Sequence, residues 1–263
     1  MLKNTIYLHG KNIKTSILSA LSLRGSFLMQ VVFLFLSNAI FFSFWILYFS
    51  NFPSVKGWKI EEMACLYGIV SASYGLFTIF FGGARYLARI IFEGDLDTFL
   101  LRPANILVQI LGIKSMPAGW GDIASSLLLI TYSGLVNSHN LLLNLLLILS
   151  STSIIISFSI ITGSLAFWIG DSHCIGRQIF EFLLTFSNYP KSIYNIFTRF
   201  FLLTIIPSGF IGFLPVEMLK NPSLYKLFFI LTFSSTYLFF SIKIFYTGLK
   251  RYSSSNLIGF RIS

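Results

Sequence analysis

Three carboxylates stand close together in the segment FEGDLDTFLLRP, residues 92–103. Glu93, Asp95 and Asp97 fall within five positions, and three arginines flank them: Arg85, Arg89 and Arg102. Grouped carboxylates can coordinate a cation or act as general acid and base. Here the alternate spacing distributes them around a helix instead of along one face, which disfavours a single shared site.

The remaining sequence has no further pattern that would support catalysis. HExxH, CxxC, GxSxG and the phosphate-binding GxxxxGK[ST] are all absent from it. His9, His139 and His173 fall in three separate segments, and the two cysteines are isolated. We therefore predict no catalytic, metal or cofactor site, and no ATP hydrolysis by this chain alone.

The composition predicts an integral membrane protein. Of 263 residues, 55% are hydrophobic and only 11% are charged, whereas soluble domains have about 25% charged residues. The 19 Lys and Arg exceed the nine Asp and Glu, and such an excess is typical of the cytoplasmic loops of membrane proteins. No basic stripe with base-reading polar residues occurs, so nucleic acid is excluded as a partner.

The apolar runs predict an all-α polytopic fold, in one domain over residues 1–263, with six transmembrane helices. Five spans are predicted at 26–49, 62–83, 118–136, 141–169 and 224–249, each close to the ~20 residues that cross a bilayer, and one more crossing within 172–216. Proline and glycine interrupt 188–216, and irregular backbone at membrane depth is tolerated only against protein or a cavity. We predict an outer re-entrant or kinked segment there, marked by Tyr189, Pro190, Arg199, Pro207, Gly209 and Pro215.

Residues 1–24 alternate apolar and basic positions with a helical period. This pattern is typical of an interfacial helix on the membrane surface, in contact with lipid; a frayed polar tail is the alternative. Twelve Lys and Arg fall on the side of the two termini and four on the other. The positive-inside rule therefore predicts that both termini, and the loop after the second span, are cytoplasmic.

Residues 85–114 then become a candidate cytoplasmic coupling segment. Gly94 can end the helix that continues the second span, Asp95 can cap a short new helix, and Pro103 ends it. Leu96, Phe99 and Leu100 share one face, which predicts an apolar ridge that docks in a groove of a soluble partner; a solvated connecting loop is the alternative. The predicted coupling residues are Glu93, Gly94, Asp95, Leu96, Asp97, Phe99, Leu100, Arg102 and Pro103.

Three stretches resemble a known family. GDLDTFLLRP at 94–103 is similar to the signature G-x-L-D-x-x-L-x-[RK]-P of ABC-2-type exporter permeases with six spans. NYPKSIYNIFTRFFLLTIIPSGFIGFLP at 188–215 is similar to the block before the last span of these proteins, and GLKRYSSSN at 248–256 to their C-terminal ending. One departure is Asn256, where the family more often has a small residue.

The resemblance implies a transport subunit in a bacterial-type cytoplasmic membrane. Such permeases pair with a second permease, identical or homologous, and with a dimer of a separate ATP-binding-cassette ATPase. The helix within 94–103 would be the coupling element, 1–24 the interfacial connecting helix, and 188–216 the outer part that closes the exit. Cargo would move between two permeases, along the first, second and fifth spans; its identity is not implied.

Two other classes stay open as alternatives. A stand-alone secondary transporter would need paired charges inside the membrane, for which Asp122 and Lys243, both near span ends, are the approximate candidates. A membrane-embedded enzyme would have to use the carboxylates of 92–103. Asn38 is either a wall group of the path or a partner in helix–helix hydrogen bonds.

Overall fold

A computed structural model describes residues 2–52, 54, 56–116 and 118–252. Its described part is built of helices: α1 Leu2–Ser22, α2 Arg24–Asn51, α3 Ile60–Phe81, a 3-10 turn Gly82–Tyr86, α4 Leu87–Glu93, α5 Leu96–Leu100, α6 Ile106–Leu111, α7 Gly119–Ser133, α8 Leu141–Ser164, α9 Ala166–Ile169, α10 His173–Ser187, a 3-10 turn Lys191–Ile193, α11 Ile196–Thr204, α12 Ser208–Ile211, α13 Phe213–Lys220 and α14 Leu224–Leu249. The all-helical class is confirmed. The last part of the C-terminal motif, from residue 253 on, lies outside the described residues.

Four helical stretches are long and apolar enough to cross a membrane: Arg24–Asn51, Ile60–Glu93, Leu141–Ile169 and Leu224–Leu249. A fifth is obtained if Ile196–Thr204 and Ser208–Lys220, bent by 79° at their junction, count as one broken span. Helices α7 and α10 have 15 residues each, about 22 Å at 1.5 Å per residue, which is less than a ~30 Å hydrocarbon core. The polytopic class is therefore confirmed, and the total of six stays a prediction.

Side-chain contacts define two ends of the helix bundle. At one end the ring of Phe77 in α3 lies 5.6 Å from that of Phe180 in α10, and Phe167 in α9 lies 5.8 Å from Phe245 in α14. We call this the terminal end, because α14 finishes there, and it also holds α4, α5 and α6. At the opposite end, the Lys220 ammonium lies 2.6 Å from a carboxylate oxygen of Glu62, at the start of α3.

Helix α3 is the centre of the bundle. In the most apolar window of Ile60–Glu93, which contains α3, 78% of residues are buried, against 11% in α2 and 17% in α14. Most of α2 and α14 is therefore exposed in the single chain. Small residues let α3 and α7 approach closely: a Cβ at Gly75 would lie 2.9 Å from the Gly119 carbonyl oxygen, and one at Gly68 would lie 2.7 Å from Ile130. Small residues at membrane helix contacts permit such packing.

Candidate functional site

The turn between α4 and α5 is set by Gly94. Its φ of +83° lies in the left-handed region that glycine adopts without strain. After it, the Asp97 amide donates to the Gly94 carbonyl oxygen (3.3 Å), and the Thr98 amide and hydroxyl donate to the Asp95 carbonyl oxygen (3.1 and 2.8 Å). These bonds start α5 directly after the Gly94 turn, as the sequence predicted for a short helix bounded by Gly94.

The predicted cap at Asp95 is wrong in its chemistry. Asp95 is the residue that precedes α5, but its side chain accepts no capping hydrogen bond from the described backbone, and its φ of −63° and ψ of −13° are already helical. A carboxylate caps only when its own backbone is extended and the side chain turns back over the first turn. The Asp95 side chain is instead exposed, so its charge is available at the surface.

The predicted apolar ridge of Leu96, Phe99 and Leu100 is also wrong as an exposed surface. Leu96 is fully buried and Phe99 nearly so, and both belong to the hydrophobic core. Leu100 is 46% exposed and Leu101, which directly follows the helix, is 87% exposed. A helix of five residues has no fixed outer face in the sequence, because packing against the rest of the chain decides which side is buried. Here Leu96 and Phe99 hold the helix, whereas Leu100 and Leu101 face out.

The chain after α5 is fixed by one buried side chain. Gln109 in α6 donates from Nε2 to the carbonyl oxygens of Ala104 (2.9 Å) and Phe99 (3.4 Å). The Arg102 guanidinium lies 5.6 Å from the Phe99 ring centroid, and Arg102 and Pro103 are exposed. The exposed part of this segment, which we call the coupling surface, consists of Asp95, Thr98, Leu100, Leu101, Arg102 and Pro103.

The chain that follows the coupling surface packs against the 3-10 turn at the end of α3. A Cβ at Gly83 would overlap the carbonyl oxygen of Ile110, and one at Gly82 would lie 2.7 Å from the Lys114 carbonyl oxygen. The backbones of the 3-10 turn and of α6 are therefore in direct contact. Glu93, predicted as a coupling residue, is the last residue of α4, and its carboxylate accepts a hydrogen bond at 2.7 Å from Arg89 Nε, one helical turn earlier.

A tyrosine beyond the last helix joins the same site. The Tyr252 hydroxyl donates to the Gly94 carbonyl oxygen at 3.2 Å. Burial raises the pKa of this hydroxyl to about 12, and the hydrogen bond and negative charge of Asp97 act in the same direction. Nothing near Tyr252 in the sequence indicates this contact, because it joins residues 158 positions apart.

The N-terminal helix α1 reaches the coupling segment through a histidine. His9 Nδ1 lies 3.4 Å from the Val108 carbonyl oxygen, and its ring lies 5.6 Å from that of Phe81. A Cβ at Gly112 would overlap the His9 ring, so glycine makes this docking possible. Burial lowers the pKa of His9 below its ordinary value, against the smaller effect of the Val108 hydrogen bond.

The predicted outer segment lies at the opposite end of the bundle. The Tyr189 ring lies 6.0 Å from that of Trp45, near the end of α2, and Pro190 is buried. Arg199 donates from Nη2 to the Tyr194 carbonyl oxygen at 3.1 Å. Lys191 is paired with Glu217.

The break itself contains the other predicted residues of that segment. Pro207 stands between α11 and α12, where the 79° bend occurs, because proline cannot continue the hydrogen bonds of a helix. A Cβ at Gly209 would lie 2.5 Å from the Phe213 ring, and one at Gly212 would overlap the Ser187 carbonyl oxygen. Pro215 is buried in the first turn of α13, where proline is tolerated.

A polar cluster joins α2, α3 and α7 inside the bundle. Asn38 donates from Nδ2 to Asp122 Oδ1 (2.8 Å) and to Ser125 Oγ (2.9 Å), and its own carbonyl oxygen accepts from the Tyr67 hydroxyl (3.1 Å). Asn38 is thus a partner in helix–helix hydrogen bonds. The Lys243 ammonium lies 4.6 Å from the Phe239 ring on α14. These two described groups, Asp122 and Lys243, therefore each have other neighbours and form no ion pair with one another.

Comparison with known proteins gives one match. The family model described as ABC-2 family transporter protein matches residues 15–256, nearly the whole chain. No curated protein matches the chain, and no solved structure does. The match covers α2 to α14, and with them the coupling surface and the broken segment at 188–216. The chain belongs to the ABC-2 transporter family and is a membrane permease.

Proposed function

We propose that this permease is the membrane subunit of an exporter driven by ATP hydrolysis on a separate ATP-binding-cassette ATPase. The observation that carries the proposal is the coupling surface. It is a short helix, angled away from α4 by the Gly94 turn, with two exposed leucines between Asp95 and Arg102. Such a surface fits a groove that has an apolar floor and charged rims.

The anchoring of α5 explains how one docking point moves the membrane part. Through Gly94 it is continuous with α4 and α3, which together form a 34-residue stretch, Ile60–Glu93. Gln109 in α6 donates to the Phe99 carbonyl oxygen of α5, and the Tyr252 hydroxyl, just past α14, donates to the Gly94 carbonyl oxygen in the turn before α5. Helix α6 in turn contacts α1 through His9. A push on α5 therefore reaches α3, α4, α6 and α14, and through α6 also α1. Packed helices transmit such displacements because their interiors hardly compress.

The remaining parts of the proposal follow from this arrangement and from family membership. Both termini and the coupling surface are cytoplasmic, α1 lies along the membrane surface, and residues 188–216 close the outer end of the path. The ATPase acts as a dimer, and a second permease, identical or homologous, completes the path. The largely exposed α2, with Leu28, Phe33 and Leu36 outward, supports a second subunit or lipid there.

The proposal is tested by purifying the tagged permease from its own host under mild detergent. We expect an ATP-binding-cassette ATPase without spans of its own to co-purify, and ATP hydrolysis by that ATPase to rise when the permease is added back. The variant Asp95→Lys, which reverses an exposed charge of the coupling surface, should leave the permease folded and weaken this association. ATP hydrolysis by the permease alone, or proton-driven transport in vesicles that lack any ATPase, would contradict the proposal.

A further inference from the structure

A basic cavity of about 340 Å³ lies at the terminal end, between α8, α10 and the turn that joins α3 to α4. Arg85, Arg89, Arg177 and His173 are among its lining residues, and Phe180 contributes an apolar wall. None of the described residues that line it is acidic. Its volume is at the lower end of the range for ligand pockets, so it suits a small polar group.

The arginines of this cavity retain free hydrogen-bond donors. Arg85 donates to the Tyr74 hydroxyl (2.6 Å) and to Glu181 (3.1 Å), and Arg89 donates from Nε to Glu93 (2.7 Å). A guanidinium has five N–H groups, so each of these arginines has donors left. Two glutamates thus balance two of the three arginines.

Arg177 supplies the excess positive charge. Arg177 is exposed, and within the described part of the chain no carboxylate pairs with it. It stands in the first turns of α10, where His173, Gly176, Arg177 and Phe180 follow one helical stripe that faces the cavity. The positive end of the helix dipole points the same way. Charge, donors and dipole all favour an anion.

The position of the cavity indicates where that anion comes from. Helix α3 is apolar as far as Phe81, and the cavity starts three residues later, at Ala84 and Arg85. Arginine side chains that follow an apolar span lie at the level of the lipid headgroups, and basic pockets between helices at that level bind acidic headgroups.

We propose that this cavity binds the phosphodiester headgroup of an anionic phospholipid. Arg89 and Arg177 supply the charge-assisted hydrogen bonds, and an N–H of His173 adds a further donor. Arg85 is held in place by Tyr74 and Glu181 and forms a fixed wall, and Phe180 covers the apolar side. The bound lipid would brace α10 against α4, beside the coupling surface. The inference requires only that the chain resides in a membrane, and it does not depend on ATP coupling.

The test is native mass spectrometry on the purified full-length permease, titrated with phosphatidylglycerol or phosphatidylcholine. We expect phosphatidylglycerol to be retained and phosphatidylcholine to be lost. Each surface Arg or Lys near an anionic lipid contributes about a fivefold change in affinity, so Arg89→Gln with Arg177→Gln should weaken retention about 25-fold. The control Lys226→Gln removes an exposed cation at the start of α14, at the opposite end, and should change nothing.

Three results would overturn the inference: equal retention of the two lipids, an unchanged double variant, or displacement of phosphatidylglycerol by excess inorganic phosphate. The last would assign the cavity to a soluble phosphoryl anion. Size-exclusion chromatography and the melting temperature check that the variants fold. The single variant Arg177→Lys retains the positive charge, so it should bind phosphatidylglycerol nearly as well as the wild type. Because no ATPase is present in this assay, its failure leaves the exporter proposal untouched.

Discussion

Leu101 offers the sharpest test of the coupling surface, because its truncation removes apolar surface that is not packed against the rest of the permease. The side chain is 87% exposed, so Leu101→Ala should leave the stability of the permease nearly unchanged. If the ATPase buries this side chain, the variant loses about three methylene equivalents of burial at ~0.8 kcal/mol each, or about 2.4 kcal/mol. That corresponds to about 60-fold weaker binding.

A matched control is available at the other end of the molecule. Leu224, at the start of α14, is 85% exposed, so Leu224→Ala removes the same atoms from an equally exposed site. The assay is the dissociation constant of the co-purified ATPase for the permease in nanodiscs, measured together with ATPase stimulation. Wild-type affinity for Leu101→Ala, or equal weakening by Leu224→Ala, would refute the role of this surface.

Three further predictions concern the surroundings of that surface and the outer end. Gly94→Ala places a Cβ at a left-handed backbone and should cost about 1–2 kcal/mol of stability. Gly134→Ala, at φ +63° and the opposite end, should cost the same by thermal melting, and only Gly94→Ala should lower ATPase stimulation. Because burial lowers the pKa of His9, docking of α1 should be complete above pH 6.5 and weaken as the pH falls below it. Hydrogen exchange of the α1 amides, corrected for intrinsic rates, measures this docking, and His9→Phe should abolish its pH dependence. Exchange of α1 that does not depend on pH in the wild type would contradict the prediction. Lys220→Gln leaves the buried Glu62 carboxylate without its cation, so the variant should lose about 1–2 kcal/mol of stability, less than for a fully buried pair because Lys220 is partly exposed. Its melting temperature should fall by a few degrees, and Lys220→Arg should keep the wild-type melting temperature. An unchanged melting temperature in Lys220→Gln would show that the ion pair contributes nothing to stability.

The helices themselves could be predicted largely from the sequence, because each depends on a local pattern. The last span, predicted at 224–249, has those bounds in the structure, and the stretch predicted at 141–169 is helical throughout except for a break at Leu165. Helices end at Gly94 and at Pro207, because glycine adopts a left-handed backbone without strain and proline cannot continue the hydrogen bonds of a helix. The N-terminal segment is a helix over Leu2–Ser22 and not a frayed tail.

The orientation of the short elements could not be predicted in the same way. Whether Leu96 or Leu101 faces out depends on where α6 lies, and no periodicity in five residues contains that information. The docking of His9 on Gly112 and the bond from Tyr252 to Gly94 join residues far apart in sequence. In the sequence, His9 in a basic helix and Tyr252 past the last span resemble ordinary residues of the membrane interface, and only the folded structure identifies their contacts.

The most direct measurement of the central claim is site-specific photocrosslinking in the co-purified complex. A photoreactive amino acid at position 101 should crosslink to the ATPase, giving a product with the summed mass of the two chains, whereas the same group at position 224 should not. An adduct at both positions, or at neither, would contradict the assignment of α5 as the place where the ATPase acts on this permease.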